Sequence, residues 1–331
     1  VETYCRFYKI ALLLVLPFIG RAAQSAVSAF TTPEANWLSY NGDYSGRRFS
    51  NLSQITPKNA DQLRAQWVFH SPNSTNLEAT PLVSEGMLFV TSANDAFALD
   101  ARTGRGVWHY SRSVTDGLID DASAHHNRGA ALWHSRLYME TDNAHLLCLD
   151  ARSGHLIWDV SYANGNRNYG ATSAPLVIKD HVLVGTSGGD DGVRGFIAAF
   201  DAESGKEVWR FWTIPGPGEF GSSSWPGDTY LHGGGTTWMP GSYDPQLNTL
   251  YWGTSNPSPD FDGDVRPGDD LYTACVLALD PDTGKLKWHF QFTPHDLFDY
   301  DAAETLLLLD ATYQRVPRKL LVQANRNVFL Y

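Results

Sequence analysis

Ala98-Leu-Asp-Ala-Arg-Thr-Gly-Arg-Gly-Val-Trp108 decides the fold, because the chain writes this pattern four times. The other copies are Cys148-Leu-Asp-Ala-Arg-Ser-Gly-His-Leu-Ile-Trp158, Ala199-Phe-Asp-Ala-Glu-Ser-Gly-Lys-Glu-Val-Trp209 and Ala278-Leu-Asp-Pro-Asp-Thr-Gly-Lys-Leu-Lys-Trp288. Each reads as a strand, a tight D-x-x-[ST]-G turn and a strand ending in tryptophan. The aspartate can accept hydrogen bonds from the turn's own backbone, and glycine tolerates positive φ. Further alternating apolar runs precede the copies, as in Pro81-Leu-Val-Ser-Glu-Gly-Met-Leu-Phe-Val90 and Ala174-Pro-Leu-Val-Ile-Lys-Asp-His-Val-Leu-Val184. The tryptophans fall 50, 51 and 79 residues apart. Four strands repeated at that period predict an all-β propeller, with the tryptophans packed between blades. Trp67 is expected to end an earlier strand of the same kind.

Composition agrees with that reading. The 331 residues are 43% hydrophobic and only 18% charged, with 29 Gly and 11 Trp, which suits a turn-rich β protein rather than a helical bundle. A net charge of −11 without a basic cluster argues against a nucleic-acid partner. The three cysteines, Cys5, Cys148 and Cys275, offer no CxxC pair, haem attachment or thiol metal cluster.

Residues 1–29 read as a secretory signal peptide. Arg6 and Lys9 precede the apolar run Ile10–Ile19, and Ala26-Val-Ser-Ala29 has the form of a cleavage site. The run is short of the roughly 20 residues that a membrane helix needs; a buried N-terminal helix is the alternative. Residues 30–331 would then form a partial propeller of four to five blades working outside the cytoplasm. No fifth Trp hairpin follows Trp288, so the chain reads as the N-terminal portion of a longer protein. The 79-residue interval places its excess around Thr213–Gly235, a Gly-, Ser-, Pro- and Trp-rich stretch expected to be a functional loop.

Chemistry is expected in the segments between repeats. Ser187-Gly-Gly-Asp-Asp-Gly-Val-Arg-Gly195, Gly233-Gly-Gly-Thr-Thr-Trp238, Gly253-Thr-Ser-Asn-Pro257 and Thr293-Pro-His-Asp-Leu-Phe-Asp-Tyr-Asp301 each combine a carboxylate, amide or aromatic group with a backbone or loop that a ligand can approach. In a propeller such strand-end loops converge at one end of the central channel. Asp190, Asn256, Asp299 and Asp301 would there supply hard oxygen ligands for Ca²⁺ or a similar cation.

These segments, together with Arg266-Pro-Gly-Asp269, resemble the pyrroloquinoline-quinone (PQQ)-dependent alcohol dehydrogenases, the methanol/ethanol dehydrogenase family of eight-bladed propellers. The resemblance runs from about Asn36 to Tyr331, roughly the first half to three-fifths of such an enzyme. It implies PQQ with Ca²⁺ or a lanthanide ion, a primary alcohol substrate, a c-type cytochrome or similar electron acceptor, and a periplasmic location. By motif, Glu78 is similar to the glutamate at the quinone's edge, and Arg128 and Thr172 to partners of its carboxylates. Ser187, Gly188 and Gly189 would line the cofactor, Thr236 would hydrogen-bond it, and Trp238 would stack beneath it. Asp190 and Asn256 match metal ligands, Asp299 the catalytic base and Arg326 the cation beside the reactive carbonyl.

Three departures qualify the resemblance. Asp190 stands where the family has a glutamate. His125-His126 stand where many members have adjacent cysteines, and either cover the cofactor, shuttle protons or are ordinary loop histidines. Asp301 matches the lanthanide-dependent members, or is a solvated or hydrogen-bonded loop residue. Asp191 and Asp296 read as turn-capping or solvated, Arg194 as an ion pair or backbone clamp, and His295 as a loop brace. Trp225 either borders the entrance or covers a blade. The competing functions are a non-catalytic propeller scaffold of the bacterial envelope and an inactive, truncated quinoprotein.

Overall fold

Each copy of the repeat closes an antiparallel sheet whose strands follow chain order. The structure, a computed structural model, describes residues 36–72, 76–118, 125–163 and 168–331; the segment read as a signal peptide lies outside them. Leu82–Ser84 (β1), Met87–Thr91 (β2), Asp95–Asp100 (β3) and Gly106–Ser111 (β4) make the first sheet. Ala130–Trp133 (β5), Arg136–Glu140 (β6), His145–Asp150 (β7) and Leu156–Ser161 (β8) make the second. The third holds Leu176–Ile178 (β9), His181–Val184 (β10), Phe196–Asp201 (β11) and Glu207–Trp212 (β12). Ser242–Asp244 (β13), Thr249–Gly253 (β14), Cys275–Leu279 (β15) and Leu286–Gln291 (β16) form the fourth. Leu307–Tyr313 (β17) and Val316–Val322 (β18) pair as a two-stranded fifth.

First strands meet first strands, β1 with β5, β5 with β9 and β13 with β17, so the sheets stand around a common axis. In each four-stranded sheet the third strand is buried and the fourth is the least buried. β15 is buried throughout, whereas the fourth strands β4 and β8 alternate between exposed and half-buried positions. That contrast is why the third strands read as nearly continuous apolar runs and the fourth ones as alternation.

The repeated residues each have a structural task. In the first turn Asp100 Oδ1 accepts from Thr103 N at 2.8 Å and Thr103 Oγ1 at 2.7 Å. Those bonds hold the Asp100 carboxyl below its ordinary value, and the same pattern recurs at Asp150 and Asp201. A β-bulge follows Ala98, Cys148, Ala199 and Ala278, each the direct partner of its sheet's tryptophan. The strand then runs three residues past the tryptophan instead of ending there.

Trp108, Trp158 and Trp209 each lie over the turn glycine of the next copy. A Cβ on Gly284, whose φ is +70°, would stand 2.5 Å from Trp209 Cε3. Trp209 Nε1 also donates to Pro281 O at 2.9 Å, tying one sheet to the next turn. Gly154 and Gly205 meet Trp108 and Trp158 in the same way. Trp67 packs against Gly104 without belonging to a strand, so its expected role holds while its expected strand does not form.

The 79-residue interval is corrected in one respect: its excess is divided between two insertions, 213–241 and 254–274. The first is pinned by Arg194, whose Nε donates to Ile214 O at 2.8 Å. The Arg194 guanidinium lies 4.5 Å from the ring centre of Trp212 and 5.0 Å from that of Tyr230, which makes it a backbone clamp. Trp225 is buried and joins the two insertions, donating from Nε1 to Leu271 O at 2.8 Å.

Candidate active site

In an antiparallel inner pair, the start of the first strand and the end of the second lie at the same end of the sheet. Arg128, Thr172, Trp238 and Asp299 precede β5, β9, β13 and β17. Ser187–Asp190, Asn256 and Arg326 follow β10, β14 and β18. Topology alone therefore gathers residues from four sheets. They line one cavity of about 270 Å³ with Gly188, Gly189, Thr236, Asp301 and His126. Glu78 is the one sequence-predicted residue outside the lining. It contacts two of the lining residues, with Oε2 3.1 Å from Arg128 Nη2 and Oε1 2.5 Å from His126 Nδ1.

One wall is flat and flanked by cations. Arg128 lies 4.7 Å and Arg326 5.9 Å from the Trp238 ring centre. Arg128 Nη1 donates to Thr172 O at 2.9 Å, and burial pushes its guanidinium down from the ordinary value. Thr236 Oγ1 is 2.9 Å from Ser255 Oγ. A Cβ on Gly189 would come within 2.9 Å of Thr236 Oγ1, so the glycine allows this close approach of two loops. A planar aromatic ligand with carboxylate groups fits such a wall of indole, guanidinium and hydroxyl groups.

A second wall is acidic and centred on Asn256. Its Nδ2 lies 2.9 Å from Asp190 Oδ1 and 2.9 Å from Asp260 Oδ1, and its backbone N donates to Asp301 Oδ1 at 2.9 Å. Arg326 Nη1 reaches Asp301 Oδ2 at 3.1 Å and Asp299 Oδ1 at 3.6 Å, while Nε stands 3.5 Å from Glu304 Oε1. Burial, with Asp299 and Glu304 adding repulsion, raises the Asp301 carboxyl to about 7 despite Arg326. Among the described residues no three His, Cys, Asp or Glu side chains meet at one point. The oxygens surround Asn256 instead, and an all-oxygen, charge-deficient set of this kind suits a hard cation.

Asp299 is held in an uncommon conformation. Its φ is +60°, and Asp296 accepts from Phe298 N at 3.0 Å and Tyr300 N at 2.7 Å, on either side of it. Asp296 is thus a turn cap that fixes the backbone around Asp299. Behind it lies Arg266, fully buried, whose guanidinium donates to Asp296 O at 2.8 Å, Asp260 O at 3.0 Å and Pro259 O at 2.9 Å. It also pairs with Asp270, which His295 approaches to 3.3 Å, so His295 braces the same loops. Arg266 was visible only as part of a motif, because a buried charge looks like an exposed one in a sequence.

Glu140 is a second buried acid, behind Arg128. Burial raises it to about 8, and neither carboxylate oxygen accepts a well-formed hydrogen bond although Tyr162 and the Ser173 amide are near. A carboxyl raised in the folded state contributes its stability below the unfolded value of 4.5 and loses it as pH rises through about 8. Glu140→Gln is therefore expected to match wild type near pH 4 and to exceed it by a few kcal/mol near pH 9. Unfolding curves at the two pH values check this; equal stability at both contradicts it.

The family model for the glucose/ethanol/alcohol dehydrogenase β-propeller domain, designated PQQ, matches residues 37–331. The chain belongs to this family. It is 39% identical over 97% of its length to quinohemoprotein alcohol dehydrogenase ADH IIB of Pseudomonas putida, covering 49% of that protein. It is 36% identical over 89% of its length to the lanthanide-dependent methanol dehydrogenase of Methylacidiphilum fumariolicum, covering 52% of that protein. A solved europium-containing methanol dehydrogenase superposes with a TM-score of 0.82 at 34% identity, over 90% of this chain and 56% of that one. The chain thus spans about half the length of the curated relatives it matches. Its five sheets are part of a quinoprotein propeller, in agreement with the all-β reading of the repeats.

Proposed function

We propose that residues 30–331 supply the cofactor and metal site of a periplasmic quinoprotein alcohol dehydrogenase that oxidises a primary alcohol to an aldehyde. The observation that carries this reading is the single cavity that joins Thr172, Ser187, Asp190, Trp238, Asn256, Asp299 and Arg326. Bound PQQ supplies a two-electron carbonyl acceptor for hydride. Trp238 gives its ring system a flat floor, and Arg128, Thr172, Ser187 and Thr236 hold its polar edge. Asp190, Asn256, Asp299 and Asp301 would hold the cation, Ca²⁺ or a lanthanide. Asp299 takes the alcohol's hydroxyl proton on its carboxylate as hydride leaves the carbon. Arg326 places positive charge where negative charge develops. A c-type cytochrome or similar one-electron acceptor would complete the cycle.

Asp301 favours a trivalent ion, because a buried extra carboxylate is best neutralised by higher charge. Two relatives carry lanthanide or europium in their names, which supports this preference. The test is dye-linked alcohol oxidation by the full-length protein with PQQ and either La³⁺ or Ca²⁺. The expected result is turnover with La³⁺ that Asp301→Ala abolishes. Equal La³⁺ turnover in Asp301→Ala would sink the metal assignment, and silence with both metals in a folded protein would sink the enzyme reading.

A further inference from the structure

His126 is in contact with Glu78 and, unlike it, lines the cavity. It does so with Arg128, Thr172 and Trp238, and its side chain is 24% exposed. The backbone that carries it is fixed from the next residue. Asn127 is buried, its Oδ1 accepting from Thr91 Oγ1 at 2.5 Å and from Gly129 N at 2.9 Å, and its Nδ2 donating to Glu140 O at 3.1 Å. The ring is fixed at its other end by the 2.5 Å contact between Nδ1 and Glu78 Oε1. Glu78 is itself held by Arg128 at 3.1 Å.

Hydrogen-bond inventory gives this arrangement its meaning. A carboxylate next to Nδ1 fixes the proton of a neutral imidazole on that nitrogen and leaves Nε2 as an acceptor; in the charged ring Nε2 is a donor. Either way Nε2 has a partner to find. Both Glu78 oxygens, by contrast, already face side-chain donors. We infer that His126 is a further cofactor-binding residue, meeting the polar edge of the quinone through Nε2, and that Glu78 is its positioning partner rather than a direct ligand. This rests on the reading that the cavity binds PQQ.

The test is equilibrium binding of PQQ to the metal-loaded, full-length apoprotein, followed by quenching of tryptophan emission. His126→Ala is expected to raise Kd about tenfold, the loss of one hydrogen bond of ~1.4 kcal/mol. Glu78→Gln, which keeps an oxygen for Arg128, is expected to weaken binding less. The double variant should bind no more weakly than His126→Ala, because Glu78→Gln keeps an oxygen for Arg128 and the rest of Glu78's part runs through the ring. Multiplied effects in the double variant, or wild-type affinity in His126→Ala, would overturn the proposal. A second measurement needs no variant: diethyl pyrocarbonate labelling of His126, mapped by peptide mass, should be suppressed by PQQ. Labelling unchanged by bound PQQ overturns it too. Failure of the wild type to bind PQQ at all would instead overturn the underlying functional reading.

Discussion

Asp299→Asn, made in the full-length protein and assayed with saturating PQQ and metal, is expected to lower alcohol turnover by about 10²–10⁴-fold. Asparagine keeps the size of the side chain and an oxygen in reach of a cation, but it cannot accept a proton at neutral pH. PQQ should still bind, because Trp238, Arg128 and Thr172 are untouched. The backbone is expected to hold, since Asp296, not Asp299, caps the amides of Phe298 and Tyr300. Turnover near the wild-type rate, with the substitution confirmed, would remove Asp299 from the role of base.

Arg266→Leu is expected to have the largest structural effect in the molecule. The guanidinium is fully buried and satisfies the carbonyls of Pro259, Asp260 and Asp296 together with the Asp270 carboxylate. Its removal leaves a buried carboxylate with only His295 near it and three carbonyls without their donor. Breaking such a pair costs about 3–5 kcal/mol. The loss should appear locally, as faster hydrogen exchange across residues 254–274 and 293–301, before any global change. Arg266→Lys should recover only part of the protection, because one ammonium cannot reproduce a planar fork reaching several acceptors. Protection in Arg266→Leu equal to wild type would show that the two loops are held by other means.

The repeats were legible because each residue in them answers to one local rule. Aspartate and serine or threonine close the turn, glycine takes positive φ, and tryptophan needs a flat partner, so the unit identifies itself four times. The candidate site was legible by motif where several lining residues stand within a few positions of one another, as at Ser187–Asp190 and Thr236–Trp238. What escaped were relations between distant segments. The excess in the 79-residue interval looked like one loop because glycine and proline mark 213–241 more strongly than 254–274. Glu78 does not itself line the cavity, and its contact with His126, forty-eight positions on, left no mark in the sequence. Glu140 gave no signal at all: a glutamate closing a strand reads as a solvated end, and its burial near Tyr162, Ser173 and Arg128 is set by the assembled sheets.

The gathering of the cavity from four sheets also fixes when it can exist. As the chain leaves the ribosome, Arg128 and Thr172 are made long before Asp299, Asp301 and Arg326, and no earlier sheet holds both an indole floor and an acidic wall. Sites built from such distant segments form late, after the loop-closure entropy of every intervening sheet has been overcome. A ligand that touches all four sheets then binds only the assembled arrangement and stabilises it by mass action. On the proposed reading, cofactor and cation supply would act on this protein twice, once on its chemistry and once on the stability of its assembled sheets.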